Sequence, residues 1–150
     1  MSDLWQITLR HLDEGNFTAL QNALGGPNEF DRWIIEWFDE GKFADKPEAL
    51  GEVFDCACML GRVKVVEHLL DNGVDPYSGM KTGLSGFHWA ASSGRLDVIK
   101  LLIARGIPMD IKNMYGGTVL GQAIWSDANE HKPGHAEIIE RLIDAGAAKS

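Results

Sequence analysis

The fold is decided by the stretch GRLDVIKLLI at residues 94–103 and by the distance at which similar stretches recur. Its apolar side chains have the spacing that places them on one face of an α-helix, namely Val98, Ile99, Leu102 and Ile103. Gly106 follows where a helix commonly ends on a left-handed residue. The stretch therefore predicts a short amphipathic helix over 96–104, entered through a glycine turn and closed by another glycine.

The same pattern occurs three times at a nearly constant period. Gly61 precedes Gly94 by 33 residues, and Gly134 follows Gly94 by 40 residues. The seven extra residues form a polar segment at 127–133, which we interpret as an insertion. A period of this length is typical of stacked helix pairs, in which one unit cannot cover its own apolar face and stacking supplies the core.

Residues 85–91 read SGFHWAA and precede the GRLDVIKLLI stretch. Together they resemble the Thr-Pro-Leu-His-x-Ala-Ala and Gly-His-x-x-Val-Val-x-x-Leu-Leu segments of the ankyrin repeat. In the copy before it, EVFD at 52–55 departs from Thr-Pro-Leu-His, so we expect its loop to differ more than its helices. The resemblance implies an all-α ankyrin-repeat solenoid of stacked helix-turn-helix units with one extra inserted helix. The single domain, 1–150, then divides into a degenerate N-terminal unit (1–27), an insert (28–46) and repeat units at 47–79, 80–112 and 113–150.

The insert is predicted to hold a helix from about 29 to 39. Its large apolar residues fall on one helical face, and they are Phe30, Trp33, Ile34, Trp37 and Phe38. This face has two alternative roles: it covers the core of the first unit, or it docks a partner. In the second case Trp33, Trp37 and Phe38 would join two copies of the chain into a homodimer, whereas a monomer is the default expectation.

Composition limits the class of partner. The chain has 14 Lys and Arg against 22 Asp and Glu, which gives a net charge of −8. This charge repels phosphate backbones and anionic membrane surfaces, so we expect neither nucleic acid nor membrane as a partner. The first residues lack the basic start and apolar core of a signal peptide, and two cysteines suit a reducing compartment, so a cytoplasmic location is expected.

Motifs that carry catalysis are missing from the sequence. It contains no phosphate-binding Gly-x-x-x-x-Gly-Lys, no Gly-x-Ser-x-Gly and no His-Glu-x-x-His, so we expect no enzyme and no cofactor. Asp127, Glu130, His131 and His135 form the one segment with metal-ligand chemistry, but Pro133-Gly134 interrupts a helix between the two histidines. From this spacing we predict a solvated loop and no metal site.

The resemblance implies a non-enzymatic protein-interaction module (an adaptor, scaffold or inhibitor) that binds a protein or peptide through its concave face and loop tips. Side chains at those positions are unusually aromatic, and aromatic residues dominate the centres of protein interfaces. The predicted partner-binding residues are Leu84, Trp89, Met114, Tyr115, Gln122 and Trp125. Two alternatives stay open at Trp89 and Trp125, which either remain exposed for a partner or pack within the stack. The groove that these aromatic residues would line is also an alternative site for a small apolar ligand.

Overall fold

The structure is a computed structural model that describes residues 3–79 and 83–148. Within these residues the chain forms helices and no strand, as the repeat pattern predicts. The helices are α1 (Leu4–Glu14), α2 (Phe17–Leu24), α3 (Pro27–Asp39), α4 (Pro47–Leu60), α5 (Val63–Asp71), α6 (Gly86–Ser92), α7 (Leu96–Ala104), α8 (Val119–Asn129) and α9 (His135–Asp144). None of the described helices is long and apolar enough to cross a membrane.

The helices stack in two layers. The first helices of the successive units, α1, α4, α6 and α8, contact one another in that order. The second helices α5, α7 and α9 form the other layer, and α3 extends this layer by packing between α2 and α5. The apolar face of residues 94–103 lies between the layers, since Val98, Ile99 and Leu102 are fully buried.

Helix ends follow the sequence signals closely in the last two units. The hydroxyls of Ser85 and Thr118 accept hydrogen bonds from backbone N–H groups in the first turns of α6 and α8, as N-cap residues do. Gly94 and Gly106 adopt positive φ values of 72° and 69°, which only glycine adopts without strain. The predicted helix over 96–104 is confirmed residue for residue as α7.

The unit at 47–79 departs from its neighbours where the sequence departs. Glu52 stands at the position of the capping Ser85, and α4 begins five residues before it, at Pro47. Without a short hydroxyl side chain at 52 the helix has no start signal there, while proline is favoured in a first helical turn. Gly51 lies inside this extra length because a Cβ there would stand 2.6 Å from the backbone nitrogen of Gly79.

The inserted helix α3 covers the N-terminal core. Phe30, Ile34 and Trp37 are buried, and Trp33 and Phe38 are half-buried against the same cluster. Of the two alternative roles of this face, covering the core therefore holds for Trp37, whose ring packs edge-to-face on Trp5 at 5.3 Å. The apolar stripe of α3 is buried within the chain because it packs on the hydrophobic cluster beside the first unit.

Part of the predicted insertion is helical rather than loop. The helix α8 continues through Asn129, and a loop begins only at Glu130. The backbone N–H of Glu130 still bonds the carbonyl of Ser126, and the side chain of Asn129 bonds the carbonyl of Trp125. The first three residues of the 127–133 segment thus lengthen α8 beyond α6, and the break falls before Pro133-Gly134 as expected.

Candidate protein-binding groove

Four of the predicted partner-binding residues meet in one groove between the last two units. The groove has a volume of about 580 Å³. It is lined by Leu84, Asn113, Tyr115, Gly117, Gly121, Gln122 and Trp125. Tyr115 is 83% exposed and Trp125 is 55% exposed, so both rings present apolar surface to solvent. We call this site the aromatic groove.

At the floor of the aromatic groove, hydrogen bonds join the polar side chains of Asn113, Gln122 and Ser126 in a row. The side-chain amide oxygen Oδ1 of Asn113 accepts hydrogen bonds from the backbone N–H groups of Tyr115 and Gly117, each at 2.9 Å. The Asn113 amide donates to Gln122 at 3.0 Å, and the Gln122 amide donates to Ser126 at 3.1 Å. These bonds fix the loop at 113–117 against α8, which pre-organises the aromatic walls for a partner.

None of the lining side chains is ionisable apart from the Tyr115 phenol. The groove therefore favours a partner's apolar or neutral polar side chain over a charged one, because burying a charge there would find no counter-charge. Acidic groups lie further along α8 and beyond it, at Asp127 and Glu130. Their effect on a partner with a basic rim remains a prediction.

Met114 and Trp89, which were predicted to bind a partner, lie outside the lining of the groove. Met114 is 64% exposed and lies over Gly83, where an added Cβ would collide with its side chain. Its backbone N–H bonds the Gly83 carbonyl at 2.8 Å, which joins the two loop tips. Trp89 is half-buried and packs edge-to-face on Phe17 at 5.8 Å. Of the two readings for the tryptophans, exposure holds for Trp125 and internal packing holds for Trp89.

The structure also shows what sequence reasoning missed, namely the role of Asn113. Its amide organises both the loop and the groove floor, yet no repeat motif or aromatic pattern marks it. A single signal was available: Asn113 precedes Tyr115-Gly116-Gly117, and asparagine often accepts backbone N–H groups at the start of a turn.

A titratable side chain next to the groove, that of His88, joins neighbouring repeat units by hydrogen bonds. His88 is buried, and its ring bridges the Ser85 hydroxyl at 2.7 Å and the Gly117 carbonyl at 2.9 Å. Burial lowers the pKa of His88, although the bond to Gly117 partly opposes this change. A neutral ring donates to Gly117 and accepts from Ser85, so His88 connects one unit to the loop of the next.

Asp127, His131 and His135 are brought within ligand distance of one another at the end of α8. One donor atom from each lies within 4.8 Å of the others, and this is the one such group among the described residues. A loop at 130–134, which includes Pro133-Gly134, separates α8 from α9 as predicted, but the turn folds back and returns His135 towards α8.

The family is settled by a comparison of the sequence with known families. A model described as ankyrin repeats, in three copies, matches residues 54–150. The chain belongs to the ankyrin repeat family. The match covers about two thirds of the chain and includes both units that form the aromatic groove.

Individual known proteins are similar to part of this chain. The E3 ubiquitin-protein ligase hecd-1 of Caenorhabditis elegans is 37% identical over 75 residues, which are 50% of this chain and 3% of the ligase. The ankyrin repeat, SAM and basic leucine zipper domain-containing protein 1 of Equus caballus is 33% identical over 97 residues, 60% of this chain and 20% of that protein. This chain thus spans a small part of these relatives.

A solved structure supports the same architecture. It is the complex of a predatory endopeptidase from Bdellovibrio bacteriovorus with an immunity protein. The match has a TM-score of 0.54 and 29% identity, and it covers 63% of this chain and 46% of the matched chain.

Proposed function

We propose that this ankyrin protein is a non-enzymatic binding module that holds a protein or peptide in the aromatic groove. The observation that carries the proposal is the meeting of Tyr115 and Trp125, both exposed, over a rigid polar floor. Exposed tryptophan and tyrosine are the side chains that most often carry binding energy at interfaces. The family's repeats supply the concave surface on which such a groove lies.

Pre-organisation supports a binding role over a purely structural one. An exposed ring that only stabilised the stack would bury most of its area, as Trp37 does in the N-terminal core. Trp125 instead keeps more than half of its surface open, while the Asn113–Gln122 bond holds the wall opposite it. A partner side chain entering this space meets fixed walls and pays little ordering entropy.

The test uses ligands selected from a displayed peptide library on the folded wild-type chain. Trp125→Ala is expected to weaken binding of the selected peptides by about 2 kcal/mol, or roughly thirtyfold. The matched control is Ile143→Ala, which truncates another exposed apolar side chain (51% exposed) on α9, outside the groove. Equal affinity of wild type and Trp125→Ala for every selected peptide would refute the groove assignment.

One feature of the structure supports the alternative of a small apolar ligand, namely the volume of the groove. A volume of about 580 Å³ falls within the usual range for small-molecule sites, about 300–1,000 Å³. A thermal-shift screen against a metabolite panel separates the two functions because a true ligand stabilises the folded chain by mass action. A ligand that stabilises wild type and not Trp125→Ala would favour this alternative.

A narrower candidate for the protein partner is an endopeptidase. The similar solved structure is a complex between such an enzyme and an immunity protein, and this supports an inhibitor role for the present chain. Endopeptidases of the source organism, assayed with increasing amounts of the purified chain, provide the test. Stoichiometric inhibition that shifts to higher concentration with Trp125→Ala is expected, whereas unchanged activity of all of them would exclude this class.

A further inference from the structure

We propose that Asp127, His131 and His135 form a site for one zinc ion that fastens the end of α8 to the start of α9. The inference stands on the geometry of these three side chains and is independent of the aromatic groove. It revises the expectation of a metal-free loop, which rested on the spacing of the histidines along the chain. That spacing gave no sign that the turn at Pro133-Gly134 folds back on α8.

The distances between the donor atoms suit a tetrahedral ion. The Asp127 carboxylate oxygen lies 2.7 Å from Nδ1 of His131 and 4.0 Å from Nδ1 of His135. Zinc held by nitrogen and oxygen at about 2.0–2.1 Å needs its ligands about 3.3 Å apart. The two separations fall on either side of this value, so small side-chain rotations bring all three donors to bonding distance.

His135 is oriented as a metal-binding histidine usually is. Its ring is fully buried, and Nε2 bonds the backbone carbonyl of Ser92 at 3.0 Å. A carbonyl only accepts, so the proton is on Nε2, and Nδ1 carries the lone pair at 4.0 Å from the Asp127 carboxylate oxygen. A second bond of this kind fixes ring orientation and tautomer in most zinc sites with histidine ligands.

Two existing hydrogen bonds have to yield to the metal, and the first is the 2.7 Å bond between Nδ1 of His131 and the Asp127 carboxylate. In the second, the backbone N–H of Lys132 donates to Nδ1 of His135 at 3.1 Å. This second bond is only partly buried and Lys132 is exposed, so water can replace the lost acceptor. The His131 side chain is 70% exposed, which leaves the outer side of the site open for a water molecule as the fourth ligand.

The site lies where the repeat period is interrupted. Asp127 is in the last turn of α8, two residues after Trp125, and His135 is the first residue of α9. Zinc would therefore hold the segment between them in one conformation. Residues 130–133 are exposed, so burial does not fix this segment.

The test is a titration of the untagged full chain, stripped with a chelator and dialysed, with zinc chloride in a calorimeter. Wild type is expected to bind one equivalent, at least about tenfold more tightly than His131→Ala or Asp127→Asn. Cobalt chloride is expected to give the visible absorption of tetrahedral Co²⁺ in wild type only. Both substitutions are at partly or fully exposed side chains, and circular dichroism verifies that the variants are folded.

The chain contains a matched control in the His68–Asp39 pair. Nε2 of His68 lies 2.7 Å from the Asp39 carboxylate, the same separation as between His131 and Asp127. Among the residues that the structure describes, this pair has no third donor of the kind that His135 supplies. His68→Ala is expected to leave zinc affinity unchanged. The proposal is overturned if wild type takes up no equivalent of zinc, if His131→Ala binds it as tightly, or if His68→Ala weakens it equally.

Discussion

Asp55 makes the stability of this ankyrin domain depend on pH in an unusual direction. It occupies, one repeat earlier, the position of His88, but its carboxylate is fully buried. Neither carboxylate oxygen makes a hydrogen bond of normal length and angle to a described residue. Burial, and secondarily the charge of Glu52, raise the pKa of Asp55 to about 9, although the backbone N–H of Gly86 partly offsets this.

The sign follows from proton binding in the two states. In the unfolded chain aspartate has a pKa of about 3.9, so between about pH 4 and pH 9 the unfolded state has released a proton that the folded state keeps. The free energy of unfolding is therefore expected to fall by about 1.4 kcal/mol for each pH unit in this window. The stabilising contribution of Asp55 is fully present below pH 4 and is lost as the pH rises towards 9.

The perturbation is Asp55→Asn, which keeps the shape of the side chain and removes the titration. Urea unfolding followed by tryptophan fluorescence at pH 5, 6 and 7 gives the stability of both proteins. Between pH 5 and pH 7 the wild type is expected to lose about 3 kcal/mol relative to Asp55→Asn. Any constant cost of burying the asparagine amide cancels, since only the pH dependence of the difference is read.

The matched control is Asp144→Asn, an exposed carboxylate in the last turn of α9. It is expected to keep the wild-type pH dependence. A stability difference between wild type and Asp55→Asn that stays constant to within about 0.5 kcal/mol from pH 5 to pH 7 would refute the reasoning.

Two further predictions concern contacts that hold the N-terminal half together. Gly51→Ala is expected to destabilise the fold by about 1–3 kcal/mol in urea unfolding, although alanine favours helices, because its Cβ would stand 2.6 Å from the backbone of Gly79; a stabilised variant would contradict this. Asp31→Ala removes both hydrogen bonds of the Arg62 guanidinium, at 2.9 and 2.6 Å, and is expected to cost about 2 kcal/mol by the same assay. An unchanged midpoint would show that this pair between α3 and the start of α5 adds nothing.

Much of the fold was predictable because the same local sequence signals recur in successive repeat units. The glycine turns and the apolar face of α7 follow from local chemistry, and the structure confirms them. The capping of α6 by Ser85 has the same local origin. Where a unit lacks its local signal, as at Glu52, the sequence could predict a departure and not its form. The start of α4 at Pro47 depends on the close approach of Gly51 to Gly79, which is a tertiary contact.

The candidate site was predictable in its residue types and less so in its membership. The aromatic residues predicted at a loop tip and on the neighbouring first helix were Tyr115 and Trp125, which do line one groove. Trp89 has the same local context, but its ring is drawn towards Phe17, a residue 72 positions away that no repeat pattern links to it. Asn113 was missed for a different reason, since its importance lies in the hydrogen bonds it makes and not in its type.

The contact between Phe17 and Trp89 has a consequence for how the domain unfolds. In repeat proteins each unit usually touches only its neighbours, so units can melt one after another from an end. Phe17 belongs to the first unit and Trp89 to the third, so this contact passes over the unit at 47–79. Fraying of the first unit would remove the Phe17 ring from Trp89 in α6, a helix of the third unit. The N-terminal three units should therefore melt as one cooperative block, which is more than nearest-neighbour stacking provides.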